Sequence, residues 1–153
     1  MNNDPVNGVD PTGEYNCSGK PDSYIVARYS HGGERYNLLC GHADPSGYGI
    51  RHIQQANGHF AGDVSNALIF LMKVTIAKGK EGQVRGGSTD YSMTWVWSSS
   101  DFPEAEPFPL VVAIDLQHGR VLTAYSPSKI VDQNRLDDCH FAGVNACGGF
   151  GSL

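Results

Sequence analysis

Positive charge is scarce in this chain. Eleven lysines and arginines stand against sixteen aspartates and glutamates, a formal net charge of −5 over 153 residues. That balance excludes the uniformly basic surface with which many proteins grip nucleic-acid phosphates. Long apolar runs are also missing. The longest, Ala67 to Met72, is far below the roughly 20 residues that a membrane-spanning helix needs, so no membrane partner is expected. The opening residues, Met1 to Pro5, have neither a basic stretch nor an apolar one, and no signal peptide is expected from them. Cysteine is sparse, with Cys17, Cys40, Cys139 and Cys147, and none stands within the two-to-four-residue spacing of a structural zinc site. Four cysteines allow three disulfide pairings, and spacing does not choose among them. Thiols are the default without a secretion signal; a disulfide formed outside the producing cell is the alternative.

What is present suits one compact domain. Hydrophobic residues make up 40% of the chain and charged residues 18%, enough apolar surface for one core at this length. The charges are unevenly spread. Between Arg51 and Thr89, five basic residues (Arg51, Lys73, Lys78, Lys80, Arg85) face only Asp63 and Glu81. From Asp90 onward, three basic residues face eight acidic ones. A basic middle is compatible with an anionic substrate.

Residues 1–23 are dense in Asn, Asp, Pro and Gly and form an irregular lead-in and linker; a single domain is expected over 24–153. Tyr24 to Tyr29 favours a short strand. A short helix is expected from Gly47 to Asn57, stopped at Asn57-Gly58. Asp63 is placed to cap a second helix, whose apolar residues Val64, Ala67, Leu68, Leu71, Met72 and Ile76 recur at three- and four-residue steps. Gly79 to Ser88 is expected as a loop or hairpin tip. Tyr91 to Trp97 alternates, with Tyr91, Trp95 and Trp97 on one face. Leu110 to Leu116 is apolar enough for a central strand, and Gln117 to Arg120 turns it into Arg120 to Ser126 as an antiparallel hairpin. After Pro127 the chain is irregular.

The stretch Ser46 to Phe60 carries most of the chemistry, with Arg51, His52 and His59 beside glycines that permit close backbone approach. Cleavage of RNA by its own 2′-hydroxyl needs a base for the 2′ proton and an acid for the leaving 5′ oxygen. It also needs fixed donors for the charge on phosphorus. Histidine suits both proton roles, with an ordinary pKa of about 6.5. Thr123, Tyr125 and Ser126 are candidate donors, and Arg51 is suited to bidentate phosphate binding. This chemistry requires no metal and no cofactor. His31, His42, His118 and His140 lack this context, and Trp95 and Trp97 fit a core better than a base-stacking platform.

Two resemblances sharpen these expectations. Pro5-Val-Asn-Gly-Val-Asp-Pro-Thr-Gly13 resembles the Pro-x-x-x-x-Asp-Pro-x-Gly motif that closes the core of Rhs/YD-repeat proteins, with Glu14 where those chains usually carry Leu. It implies that the chain from about Glu14 is the variable toxin tip of a polymorphic toxin. Such a tip is made in the bacterial cytoplasm and exported with its repeat shell, as by type VI secretion. It acts in the cytoplasm of a competing cell and is held in check by a cognate immunity protein.

The order helix, histidine, helix, strands over about 80 residues, Gly47 to Ser126, resembles the barnase/EndoU/colicin-nuclease/RelE ribonuclease superfamily. The residues that carry it are Arg51-His52-Ile53, His59-Phe60 and Gly119 to Ser126. It implies an α+β fold with N-terminal helices packed on a small antiparallel β-sheet, and a catalytic core at about 47–126. The expected activity is endoribonuclease cleavage of tRNA or rRNA. By position the resemblance maps catalysis onto His52, His59, Thr123 and Tyr125. Substrate contacts are expected from Arg51, Lys73, Arg85 and Ser126. The lysine of EndoU-like enzymes has no single counterpart; Lys73, Lys78, Lys80 and Arg85 compete for its place.

Three other functions compete. An ADP-ribosyltransferase toxin would draw its catalytic acid from Glu104-Ala-Glu106. A non-enzymatic binding domain on a repeat shell would not need His52. A cysteine hydrolase would use Cys40 with His42 or His59, although Cys40 has no nucleophile-elbow signature.

Overall fold

The computed structural model describes residues 15–43, 46–55, 64, 66–97 and 106–126, with the backbone alone at Ala67, Val96, Trp97, Glu106, Pro107 and Phe108. Six strands and two helices occur among them: β1 (Ile25–His31), β2 (Glu34–Leu39), α1 (Gly49–Gln55), α2 (Asn66–Lys78), β3 (Lys80–Glu81), β4 (Ser88–Trp97), β5 (Glu106–Asp115) and β6 (Arg120–Tyr125). The strands form one sheet in the order β1-β2-β6-β5-β4-β3. The fold is mixed α+β.

The expected β5–β6 hairpin is present and antiparallel, from Asp115↔Arg120 to Val111↔Tyr125. Its turn closes at Gly119, whose φ of +62° lies where L-residues are disfavoured. The β1–β2 hairpin extends beyond the single strand expected at Tyr24–Tyr29. Gly32 and Gly33 both have positive φ, as a two-residue turn between right-twisted strands requires, and they bring Tyr29 opposite Tyr36. Two strands therefore precede the helices. The sheet is also not purely antiparallel, because β2 meets β6 in parallel at Asn37↔Arg120.

Both helices lie close to their expected positions, and α2 ends where Gly79 donates to the Thr75 carbonyl. Asp63, expected to cap α2, lies outside the described residues. One core cluster takes Ile50 and Ile53 from α1, and Leu68, Leu71, Met72 and Ile76 from α2. The strands add Tyr29, Tyr36, Leu38, Tyr91, Trp95, Leu110, Val112, Ile114, Val121 and Ala124. Burying side chains of this size stabilises the fold by about 1.5–3 kcal/mol each before entropy is charged.

Buried polar groups tie α2 into the core. Trp95 Nε1 donates to Thr75 Oγ1 at 3.1 Å, and Thr75 Oγ1 donates to the Leu71 carbonyl at 2.8 Å. Tyr29 Oη donates to the Ile69 carbonyl at 2.9 Å. Burial pushes the Tyr29 phenol well above its ordinary value. Trp95 is thus a core residue, as expected; the Trp97 side chain lies outside the described residues.

Candidate active site

The path from β2 into α1 is tight. His42 and Tyr48 exchange two backbone hydrogen bonds, at 3.1 and 3.0 Å. A Cβ at Gly41 would fall 1.8 Å from the Tyr48 carbonyl oxygen, so glycine is obligatory there. A Cβ at Gly47 would fall 2.6 Å from Nδ1 of His52. The imidazole of His52 is thereby seated with Nδ1 buried against Gly47, while the residue as a whole is half-buried on α1.

Arg51 sits beside it, with its guanidinium directed at the lead-in and the end of β2. Its guanidinium donates to the carbonyls of Gly41 (2.8 Å), Cys17 (2.6 Å) and Lys20 (2.7 Å), and to Asp22 Oδ1 (3.1 Å). Its backbone N–H donates to the Cys40 carbonyl at 2.9 Å. The planar fork that suits phosphate suits this cage of oxygens equally well. Arg51 therefore holds α1 against the lead-in, an occupation different from the phosphate contact expected of it.

The same lead-in is stapled by a disulfide between Cys17 and Cys40, both buried in the core. Thiols are thus replaced by a disulfide at this pair, and Cys40 has no thiolate to offer as a hydrolase nucleophile. Cys139 and Cys147 lie outside the described residues, as do His140, His59, Glu104 and the Pro5–Gly13 motif. Glu106 opens β5.

Thr123 and Tyr125 are half-buried on β6. Their register partners are Ala113 and Val111, whereas Ala124, between them, pairs with Val112 and enters the core. Alternation places Thr123 and Tyr125 on the outer sheet face with Val111 and Ala113. On the next strand Ala113 faces Asp90, and Val111 faces Ser92. A cavity of about 290 Å³ opens on this side, lined by Gln83, Arg85, Ser88, Thr89, Asp90 and Ala113. Thr123 lies two strand spacings, about 10 Å, from Asp90 at its rim.

Arg85 is exposed in that lining, with Nη2 3.3 Å from Gln83 Oε1. Lys73 is exposed on α2, whose buried residues lie among β1, β4 and β5. The structure therefore gathers Thr123, Tyr125 and Arg85 on one side of the sheet and leaves Lys73 on a separate element. Ser126, another expected substrate contact, is buried at 3% exposure, and its Oγ has no hydrogen-bond partner among the described residues.

The link between His52 and β6 is a residue to which the sequence assigned no role of its own. The Arg120 guanidinium lies 3.7 Å over the ring of Tyr48, the residue just before α1. Its Nε also donates to Asp115 Oδ2 at 3.2 Å. His118 Nδ1 approaches the same oxygen at 2.7 Å. Burial alone would raise the Asp115 carboxyl, but hydrogen bonds from His118 and the charges of His118 and Arg120 outweigh it and hold the group below its ordinary value. The start of β6 is thus tied to the start of α1. Only an arginine immediately after the turn glycine hinted at this in the sequence.

Among the described residues, no three His, Cys, Asp or Glu side chains converge to hold a metal ion. No family model, curated protein or solved structure matches the chain.

Proposed function

We propose that this chain is a metal-independent endoribonuclease, the toxin tip of an Rhs-type effector, cleaving tRNA or rRNA to leave 2′,3′-cyclic phosphate ends. The observation that carries the reading is the junction of α1 with β6. Through Tyr48 and Arg120, the helix bearing His52 is fastened to the strand bearing Thr123 and Tyr125. The two groups lie far apart in sequence, and acid–base chemistry beside hydroxyl donors is what transesterification needs.

With Nδ1 of His52 buried, Nε2 is the proton-transfer atom. One histidine takes the 2′-hydroxyl proton as the 2′ oxygen attacks phosphorus. The other protonates the 5′ oxygen as its bond to phosphorus breaks. His59 is the second partner expected from the sequence. Thr123 and Tyr125 donate to the non-bridging oxygens. Arg85 serves a flanking phosphate from the cavity across Ala113, Lys73 remains a longer-range electrostatic contributor, and Arg51 keeps α1 in place. The finer architecture that belongs to this reading is a barnase/EndoU-like packing of the helices on the sheet, with the β1–β2 hairpin as an addition. The biological setting rests on the Pro5–Gly13 motif: export with a repeat shell, action in the target cytoplasm, and neutralisation by an immunity protein.

The test is incubation of the purified chain with total bacterial RNA in EDTA, beside a His52→Ala variant whose folding is checked by circular dichroism. Discrete fragments with cyclic-phosphate ends, absent with the folded variant, are expected. Intact RNA from a toxic wild-type preparation would overturn the reading.

A further inference from the structure

The outer face of the sheet carries more positive charge than the sequence suggests, because the register gathers arginines scattered along the chain. In β1 and β2, Arg28 faces Asn37 and Ser30 faces Arg35, while Tyr29, Tyr36 and Leu38 point into the core. Asn37 in turn faces Arg120 on β6. Arg28, Asn37 and Arg120 thus form a row across three strands, about 10 Å from end to end, and Arg35 stands two residues, about 7 Å, along β2. Arg28 and Arg35 are exposed, and no ion pair ties either of them to an acid of the described residues.

The acids nearby do not cancel this band. Glu34, the acid of β2, stands opposite His31 on the core-side face, where its charge acts on Tyr91. Asp115 is occupied by Arg120 and His118. Beyond Arg120 the same face of β6 leads to Thr123 and Tyr125.

We propose that the outer face of β1, β2 and β6, through Arg28 and Arg35, is a binding surface for the phosphodiester backbone of single-stranded RNA, delivering it to the Thr123–Tyr125 region. This rests on the ribonuclease reading and names where that enzyme holds the strand beyond the scissile bond. Charge complementarity selects the occupant. Two unneutralised guanidinium groups on adjacent strands match successive phosphates, and Ser30 and Asn37 between them add neutral hydrogen-bonding groups. In a chain of net charge −5, a local basic band is what allows a polyanion to approach at all.

The test uses a fluorescent 2′-O-methyl RNA oligonucleotide, which has no free 2′-hydroxyl and so cannot be cut. Fluorescence anisotropy gives its affinity for the wild type and for Arg28→Ala/Arg35→Ala; both side chains are exposed, and thermal melting checks the fold. Affinity should fall at least about tenfold in the double variant, and the slope of log affinity against log salt should lose about 1.4, roughly 0.7 per phosphate contact. Arg28→Lys/Arg35→Lys keeps the charge and should recover part of the binding. Lys20→Ala, which removes a charge held over the Tyr24 ring in the lead-in and not on this face, should stay within about twofold.

Equal weakening by Lys20→Ala and by the arginine pair, no weakening, or no wild-type binding would each overturn the proposal. So would equal affinity for a polyaspartate peptide, which would assign the face to an acidic protein. The two readings fail separately. Oligonucleotide binding through Arg28 and Arg35 without RNA cleavage would sink the ribonuclease reading and keep the surface; cleavage with binding indifferent to both arginines would do the reverse.

Discussion

Replacing Arg51 tests the claim that its guanidinium is a structural tie. Three backbone carbonyls accept from it at 2.6 to 2.8 Å. A hydrogen bond to a charged group is worth about 1.5–3 kcal/mol where water is excluded. The Arg51 side chain is 28% exposed, so water re-enters when the side chain is removed, and the three bonds share one fixed group rather than adding. Arg51→Ala should therefore cost about 3 kcal/mol, which for a domain of this size lowers Tm by about 6–12 °C.

The fourth contact provides the control. Asp22 is 55% exposed, and an exposed ion pair contributes about 0–1 kcal/mol, so Asp22→Asn should change stability little. Arg51→Lys keeps the charge but not the planar fork and should recover less than half of the loss. Urea unfolding followed by tryptophan fluorescence measures all three. An Arg51→Ala loss below about 1 kcal/mol, or a lysine variant as stable as the wild type, would refute the tie.

Other consequences are equally direct. Cys17→Ser/Cys40→Ser should lower stability by about 3 kcal/mol, the loop-closure estimate for a sequence separation of 23. A reductant should shift the urea midpoint of the wild type and leave that of the variant unmoved. Because Cys17 is also an Arg51 acceptor, the losses from this variant and Arg51→Ala should fail to add.

The Asp115 carboxyl is held below its ordinary value of about 3.9. Its contribution is present above that pH and disappears as pH falls through the folded-state value. The stability advantage of the wild type over Asp115→Asn should accordingly shrink below about pH 4; an advantage constant from pH 6 to pH 2 would contradict the geometry. The buried Tyr29 phenol has a raised folded-state value, so its contribution is complete below about pH 10 and is lost as pH rises. Tyr29→Phe should lose about 1 kcal/mol at neutral pH and show a flatter decline in stability above pH 10, read from urea midpoints.

What the sequence determined by itself is whatever neighbouring residues decide. The α2 stripe from Leu68 to Ile76 has the helical period, so its buried face is implicit in residue order. The β5–β6 hairpin follows from an apolar run, a glycine-closed turn and a second strand. The β1–β2 hairpin was also within reach, since Gly32-Gly33 stands between Tyr29 and an alternating Tyr36 and Leu38. Glu34, Arg35 and Asn37 dilute the apolar signal of that run.

Only the tertiary structure decided matters that depend on which distant segments meet. Arg51 and its cage are separated by as many as 34 residues, and nothing beside Arg51 distinguishes a guanidinium destined for carbonyl oxygens from one kept for phosphate. Three disulfide pairings were equal on spacing; folding the lead-in beside the end of β2 brought Cys17 to Cys40. Arg28, Arg35 and Arg120 acquire a common face only through a parallel contact between the second strand and the last. Local propensity sets which way each side chain points along its own strand, whereas the sheet order sets its neighbours, and charge acts between neighbours in space.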